Sequence, residues 1–197
     1  MYRRLLFFLI LFFPLNPLPS LHSLNLDFEN VSPNQSPIDW YTEGSLDTRT
    51  GKIKSAEEEG FKVIMDSNIS HSGKYSLLIK SLQGGRGGSA REDCLPCIDS
   101  LVNLFHGKVV TYSGWIKTEH VSRWAGLWLR LDADHKVLYF NNMYDSAISG
   151  TRDWKKYSFT FSFSDSAKDF DFGVIMGDTT EGKAWFDDLS LDISPTH

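Results

Sequence analysis

Residues 157–163 read YSFTFSF, with Tyr157, Phe159, Phe161 and Phe163 on one side and Ser158, Thr160 and Ser162 on the other. A period of two belongs to a strand with one buried and one wet face, because successive side chains of a strand point to opposite faces. The same period recurs along the chain. Tyr75, Leu77 and Ile79 fall on one side of a strand, and Val110, Tyr112 and Ile116 stand opposite Thr111, Ser113 and Trp115. Ala125, Leu127, Leu129 and Leu131 form a fourth such row, and VLYFNN, KDFDFGVIMG and KAWFDDLSLDI add further strands. LNLDFEN at residues 24–30 reads as a short alternating strand, and residues 61–65 as another. Aromatic residues make up 14% of the chain, a composition that suits pleated sheet. The one good helix signal is CIDSLVNLFHGK, residues 97–108, closed by Gly107. Eight or nine short strands divided by turns predict an all-β fold, an antiparallel β-sandwich of jelly-roll type with at most one short helix.

The first 23 residues read as a secretory signal, with basic Arg3 and Arg4, an apolar run from Leu5 to Phe13, and helix-breaking Pro14 and Pro17. That run is too short to span a bilayer comfortably. Ser20 and Ser23 offer small residues for cleavage. The expected organisation is therefore a signal peptide over 1–23 and a single β-sandwich domain over 24–197, secreted, periplasmic or on the cell surface. The whole chain has 20 Lys+Arg and 25 Asp+Glu. Removing residues 1–23 takes away two of the basic residues and no acid, leaving 18 against 25, a net of −7. So acidic a domain lacks the basic footprint for nucleic acid or an anionic membrane surface.

The two cysteines, Cys94 and Cys97, sit in CLPC after the loop GGRGGSARED. A redox C-x-x-C needs its first cysteine at a helix N-terminus in a βαβ setting, and no thioredoxin-like pattern surrounds this one. Zinc would need two further ligands, and the six histidines are scattered. In an exported protein a small local disulfide between Cys94 and Cys97 is the expectation.

The stretch WAGLWLRLD, residues 124–132, raises the functional question. Its odd positions form a core face, while its even positions are Trp124, Gly126, Trp128, Arg130 and Asp132. Planar indoles give the apolar faces of sugar rings a surface to stack on. Arg130, Asp132 and, from a neighbouring strand, Asn141 supply polar groups beside them, the usual make-up of a small-molecule site. The competing reading buries both tryptophans under a loop such as 30–55 or 83–93, with Arg130 ion-paired to Asp132 or Asp145. The same face would also serve as a protein-binding hot spot, where Trp, Tyr and Arg dominate.

NLDFEN, HSGKYSLLIKS, GKVVTYSGWIKTE and WFDDLSLDI resemble, in that order, the jelly-roll carbohydrate-binding modules and the wider galactose-binding-like β-sandwiches. Residues 107–193 are more narrowly similar to an uncharacterised bacterial domain found alone or attached to regulators, peptidases or esterases. The resemblance implies sugar binding on an outer sheet face. It also implies a structural Ca²⁺ at the sandwich edge, which would fall on Glu29, on backbone carbonyls near Ser72 to Lys74, and on Asp187. Hard oxygen ligands of that kind suit calcium. The connection NNMYDSAISGTRDW departs from the sugar-binding pattern. No nucleophile elbow, zinc-protease motif or phosphate loop is present, so a non-catalytic module is expected. A glycosidase carboxylate pair, with Asp132 and Asp145 the ones to suspect, has no sequence signature of its own.

Overall fold

A computed structural model describes residues 24–32, 37–42, 46–47, 52–82 and 88–194. The signal-like segment, parts of the loop 30–55 and the centre of the Gly-rich loop lie outside the described residues. The elements are β1 (Trp40–Tyr41), β2 (Leu46–Asp47), β3 (Lys52–Ile53), β4 (Phe61–Asp66), β5 (Ser76–Ser81) and β6 (Ser89–Glu92). Then follow α1 (Leu95–Phe105), β7 (Val109–Ala133), β8 (Lys136–Asn141), β9 (Ile148–Ser162), β10 (Asp169–Met176) and β11 (Lys183–Ile193). No helix among the described residues is long and apolar enough to cross a membrane.

The 25-residue β7 organises the molecule. Its first half pairs with β11, which leads on to β5 and β4. Its second half pairs with β10, which leads on to β6 and β1. On its other side β7 carries β9 and then β8. All these pairings are antiparallel, and the strand that passes from one layer to the other makes a single curled sheet into a sandwich. The corner lies near His120, at φ 52°, where the register with β9 shifts repeatedly between Ile116 and Ala125. In the sequence KVVTYSGWIKT and WAGLWLRLD read as two strands. The polar run between them stays extended instead, because Ser122 bonds to Glu181 through both its N–H and its hydroxyl.

The core lies between the layers. Leu127, Leu129 and Leu131 are fully buried, as are Tyr112, Phe172 and Phe186. Phe161 and Phe163 are buried, while Ser158, Thr160 and Ser162 on the other face are exposed, so the alternation reports burial directly. The α1 residues Ile98, Leu101, Val102 and Phe105 are buried, which gives the helix one apolar stripe, and it lies against β10. Gly107, at φ 67°, follows its end.

Residues 24–30 depart from expectation. Leu24, Asn25, Leu26 and Phe28 are all buried, Asn25 and Phe28 have φ of 49° and 57°, and no strand forms. The Asn25 side chain holds this irregular backbone instead, donating to the carbonyls of Asn30 and Ile38 and accepting from the Asn30 N–H.

Candidate functional site

The second layer turns one face into the core and the other outward. Register fixes which outward residues are neighbours, since residues directly opposite across a ladder share a face. Trp128 stands opposite Gly173, Gly173 opposite Arg91, and Arg91 opposite Tyr41. One step along, Phe140 stands opposite Arg130, and Arg130 opposite Asp171. One further step brings Asp132 opposite Asp169. The strip crosses five strands, so it is about 19 Å wide at roughly 4.8 Å per strand spacing.

Its charges are paired in place. Arg130 grips Asp132 with two bonds, Nε to Oδ2 at 2.6 Å and Nη2 to Oδ1 at 2.9 Å. Arg91 donates to Asp171 Oδ1 at 2.8 Å, and its guanidinium lies 4.9 Å from the centre of the Tyr41 ring. Burial pushes the Asp171 carboxyl above its usual range, and the Arg91 charge draws it back down. Between these pairs buried Gly173 lets the Trp128 indole lie close against the strand. A Cβ there would run into the Ala90 carbonyl and stand 2.9 Å from Trp128 Nε1. The Trp128 indole is half-buried, and its Nε1 is buried with no hydrogen-bond partner among the described residues. A donor in that position costs free energy unless water or a ligand meets it.

The sequence-derived site residues separate into two groups. Trp128, Arg130 and Asp132 share the outward face. Trp124 and Asn141 do not serve as expected there. Trp124 is only 7% exposed. Its ring lies against Gly177 and meets Tyr144 edge-on at 5.7 Å, so it offers no platform. Asn141 stands opposite core-facing Leu129, which puts it on the other side of the sheet from Trp128. There its Oδ1 accepts the Met143 N–H at 2.8 Å, and its Nδ2 contacts the Tyr139 hydroxyl at 3.3 Å. Tyr41, Arg91, Asp171 and Gly173 were not anticipated. The DFDFG alternation and a glycine inside a strand were the available signals.

Glu29, Ser72, Lys74 and Asp187 do come together at the far layer, around the turn before β5. Asp187 has no solvent exposure. It accepts the N–H groups of His71 (2.7 Å), Ser72 (3.1 Å) and Asp188 (2.8 Å). Glu29 Oε1 accepts those of Lys74 (2.8 Å) and Tyr75 (2.9 Å). Burial pushes the Asp187 carboxyl up to about 6 against these donors. The carboxylates thus meet N–H groups of this turn, and no cluster of three or more His, Cys, Asp or Glu suited to a metal occurs among the described residues. Beside the turn, His71 stacks on Trp115 at 3.7 Å and bonds Asp188 at 2.6 Å.

Cys94 and Cys97 form a disulfide. It closes the first turn of α1, with Cys94 at the N-cap.

No family model matches the chain. Among curated proteins it is 30% identical, over 133 residues, to an uncharacterised HTH-type transcriptional regulator, YbfP, of Bacillus subtilis (strain 168). That match takes in 67% of this chain but only 43% of the regulator. Among solved structures it is similar to the CBM22-1 xylan-binding domain of Paenibacillus barcinonensis Xyn10C, with TM-score 0.55, 14% identity, and coverage of 87% of this chain and 93% of that one. A CBM4 module gives TM-score 0.53 at 15% identity, covering 86% and 98%. The Stig cyclase Fisc of Fischerella sp. TAU gives 0.55 at 16%, covering 88% and 96%. The chain therefore has the jelly-roll β-sandwich fold of the carbohydrate-binding modules. Because a cyclase shares that fold, function has to rest on the site.

Proposed function

We propose that this chain is an exported, non-catalytic binding module that holds carbohydrate on the outward face of the β1–β6–β10–β7–β8 layer. The row Tyr41, Arg91, Gly173 and Trp128 carries the reading. It sets two half-buried aromatic side chains on one face, with the Trp128 indole laid flat over Gly173 and Arg91 between the rings. A sugar ring on Trp128 has its hydroxyls within reach of groups that both donate (Arg91, Arg130) and accept (Asp132, Asp171). Because each arginine is already neutralised by an aspartate, the ligand that fits is an uncharged polyol rather than an anion. Wild-type protein and Trp128→Ala, the latter checked for folding, are tested against a panel of glycans and polysaccharides. Saturable binding that the variant loses supports the reading; no binding to any glycan, at any salt, refutes it.

A second reading rests on a specific observation. Val137, Phe140 and Tyr144 are 47%, 54% and 58% exposed, all at the β8 end of the same layer. Exposed large apolar side chains strung along the β8 edge suit a protein partner. Loss of partner binding in Tyr144→Ser, with glycan binding intact, would separate the two.

Calcium is a separate proposal. Glu29 and Asp187 grip one turn and are hard oxygen donors of the kind calcium takes. A cation there would require the backbone at Ser72 and Lys74 to present carbonyls to it in place of the present N–H groups.

A further inference from the structure

From the placement of the Cys94–Cys97 disulfide we infer that it is a thiol–disulfide exchange centre rather than a structural staple. The sequence alone pointed the other way, because no thioredoxin-like pattern surrounds CLPC and only its second cysteine falls in the expected helix, 97–108. The structure puts the first cysteine at the helix N-terminus. Cys94 is the N-cap of an 11-residue helix. The helix is preceded by β6 and leads into the first half of β7, which pairs with β11 and β9 in the other layer. Of the two features expected of an exchanging C-x-x-C pair, the fold supplies the helix N-terminus, where a thiolate is stabilised.

Three further observations favour exchange over bracing. First, the bridge joins residues only three apart. It spans a turn already held by bonds from the N–H groups of Cys97 and Ile98 to the Cys94 carbonyl, at 2.9 and 3.0 Å. So short a loop constrains the unfolded chain least. Second, the two cysteines differ in burial. Cys94 is half-buried and packs against the core cluster, while Cys97 is 6% exposed and lies within it beside Ile98 and Leu101. Of the two, Cys94 is the more open to an incoming thiolate. Third, the helix start has no side-chain cap and no acidic residue in its first turn. A Cys94 thiolate would occupy the N-cap and meet the positive end of the helix, which favours the reduced form. Asp93 beside it is exposed, so its charge is largely screened.

The reaction balances as follows. A thiolate of an external thiol attacks Cys94 Sγ, the Cys94–Cys97 bond breaks, and the electron pair leaves on Cys97, which takes up a proton. A second external thiolate then attacks its own partner's sulfur in the mixed disulfide and releases Cys94 as thiolate. Two thiols are oxidised to one disulfide, and two electrons reduce the pair in the protein. The co-reactant is any accessible thiol pair, whether two small-molecule thiols or a protein dithiol.

The test uses the full chain in glutathione buffers of graded ratio, quenched in acid, alkylated and weighed by mass spectrometry, with near-UV circular dichroism in parallel. The pair should be reduced reversibly while the fold signal stays unchanged. In Cys97→Ser, Cys94 should form a mixed disulfide with glutathione. It should also alkylate at pH 6 about tenfold faster than a peptide cysteine, as one unit of lowered thiol pKa requires. A wild-type pair that stays oxidised until fully reduced glutathione is used, or that is reduced only as the fold signal is lost, overturns the inference. If Cys97→Ser does not fold, the wild-type titration decides alone. A dithiol and glutathione reacting at similar rates would identify small thiols as adequate substrates; a large preference for a reduced protein dithiol would point to a protein.

Discussion

Trp124 and Trp128 lie four residues apart on one strand, and truncating each separates a structural from a binding role. Trp124 is 7% exposed, packed on Gly177 with Tyr144 across its edge. Truncating a buried tryptophan costs about 3–5 kcal/mol. For a chain of this size each kcal/mol moves Tm by about 2–4 °C, so Trp124→Ala should lower Tm by roughly 6–20 °C. Trp128 is half-buried, and about half that loss is expected for Trp128→Ala, roughly 3–10 °C. Binding should show the reverse order. Trp128→Ala should lose at least about tenfold in glycan affinity, which is roughly 1.4 kcal/mol of stacking and hydrogen bonding. Trp124→Ala should keep its affinity in the folded fraction. Differential scanning fluorimetry and isothermal titration calorimetry on the same preparations measure both. If Trp128→Ala proves as destabilising as Trp124→Ala, a loop covers the outward face. If a folded Trp128→Ala binds glycan like the wild type, the stacking platform lies elsewhere.

Three other outcomes are expected. Gly173→Ala forces a methyl against the Ala90 carbonyl and the Trp128 indole, so it should cost about 1–3 kcal/mol and abolish glycan binding, read by the same two assays. EDTA should lower the Tm of the purified protein, and added Ca²⁺ should restore it; an unchanged Tm removes calcium from Glu29 and Asp187. Asp171 has a folded pKa raised above 3.8, so as pH falls toward that value the folded state takes up this proton before the unfolded state does. Its contribution to stability therefore grows as pH falls, and Asp171→Asn should remove that part of the Tm-versus-pH slope; identical slopes in variant and wild type would contradict it.

The core was legible because burial in a sandwich follows parity. Phe161, Phe163, Leu127, Leu129 and Leu131 needed only a period of two. The site was half legible. Trp128, Arg130 and Asp132 share one strand, so parity placed them together. Tyr41, Arg91 and Asp171 come from three other strands, and their meeting depends on which strands pair and in what register. Neither leaves a local trace: Arg91 follows a glycine-rich loop, and the two-residue β1 carries no period at all. Asn141 was misplaced for the same reason. Its face depends on the β7–β8 turn at Asp134 and His135 and on a register shift beside Asp132. A shift of one residue reverses every side chain beyond it. Trp124 failed differently. It has the right parity, but Gly177 gives its ring a flat backbone to lie on, and Tyr144 from the 144–146 turn closes the edge. Residues 24–30 lost parity along with the ladder, since a positive φ at Asn25 and Phe28 turns Asn25 inward beside Leu24 and Leu26.

The arrangement of charge on the outward face also constrains what can bind there. Arg130 spends both arms on Asp132, and Arg91 is shared between Asp171 and the Tyr41 ring. An anionic ligand would have to displace a bidentate carboxylate held at 2.6 and 2.9 Å, and the freed aspartate would then lie beside the incoming charge. A neutral hydroxyl disturbs neither pair: it accepts from a guanidinium N–H that the carboxylate leaves over and donates to a lone pair that the guanidinium does not use. Affinity would then come from the Trp128 stack, and the ion pairs would hold the polar groups at fixed spacing. Such a surface binds weakly, depends little on salt and discriminates by hydroxyl geometry. Holding the polar groups in place before the ligand arrives lowers the ordering cost of binding, and that is the advantage of building the site from charges already satisfied by one another.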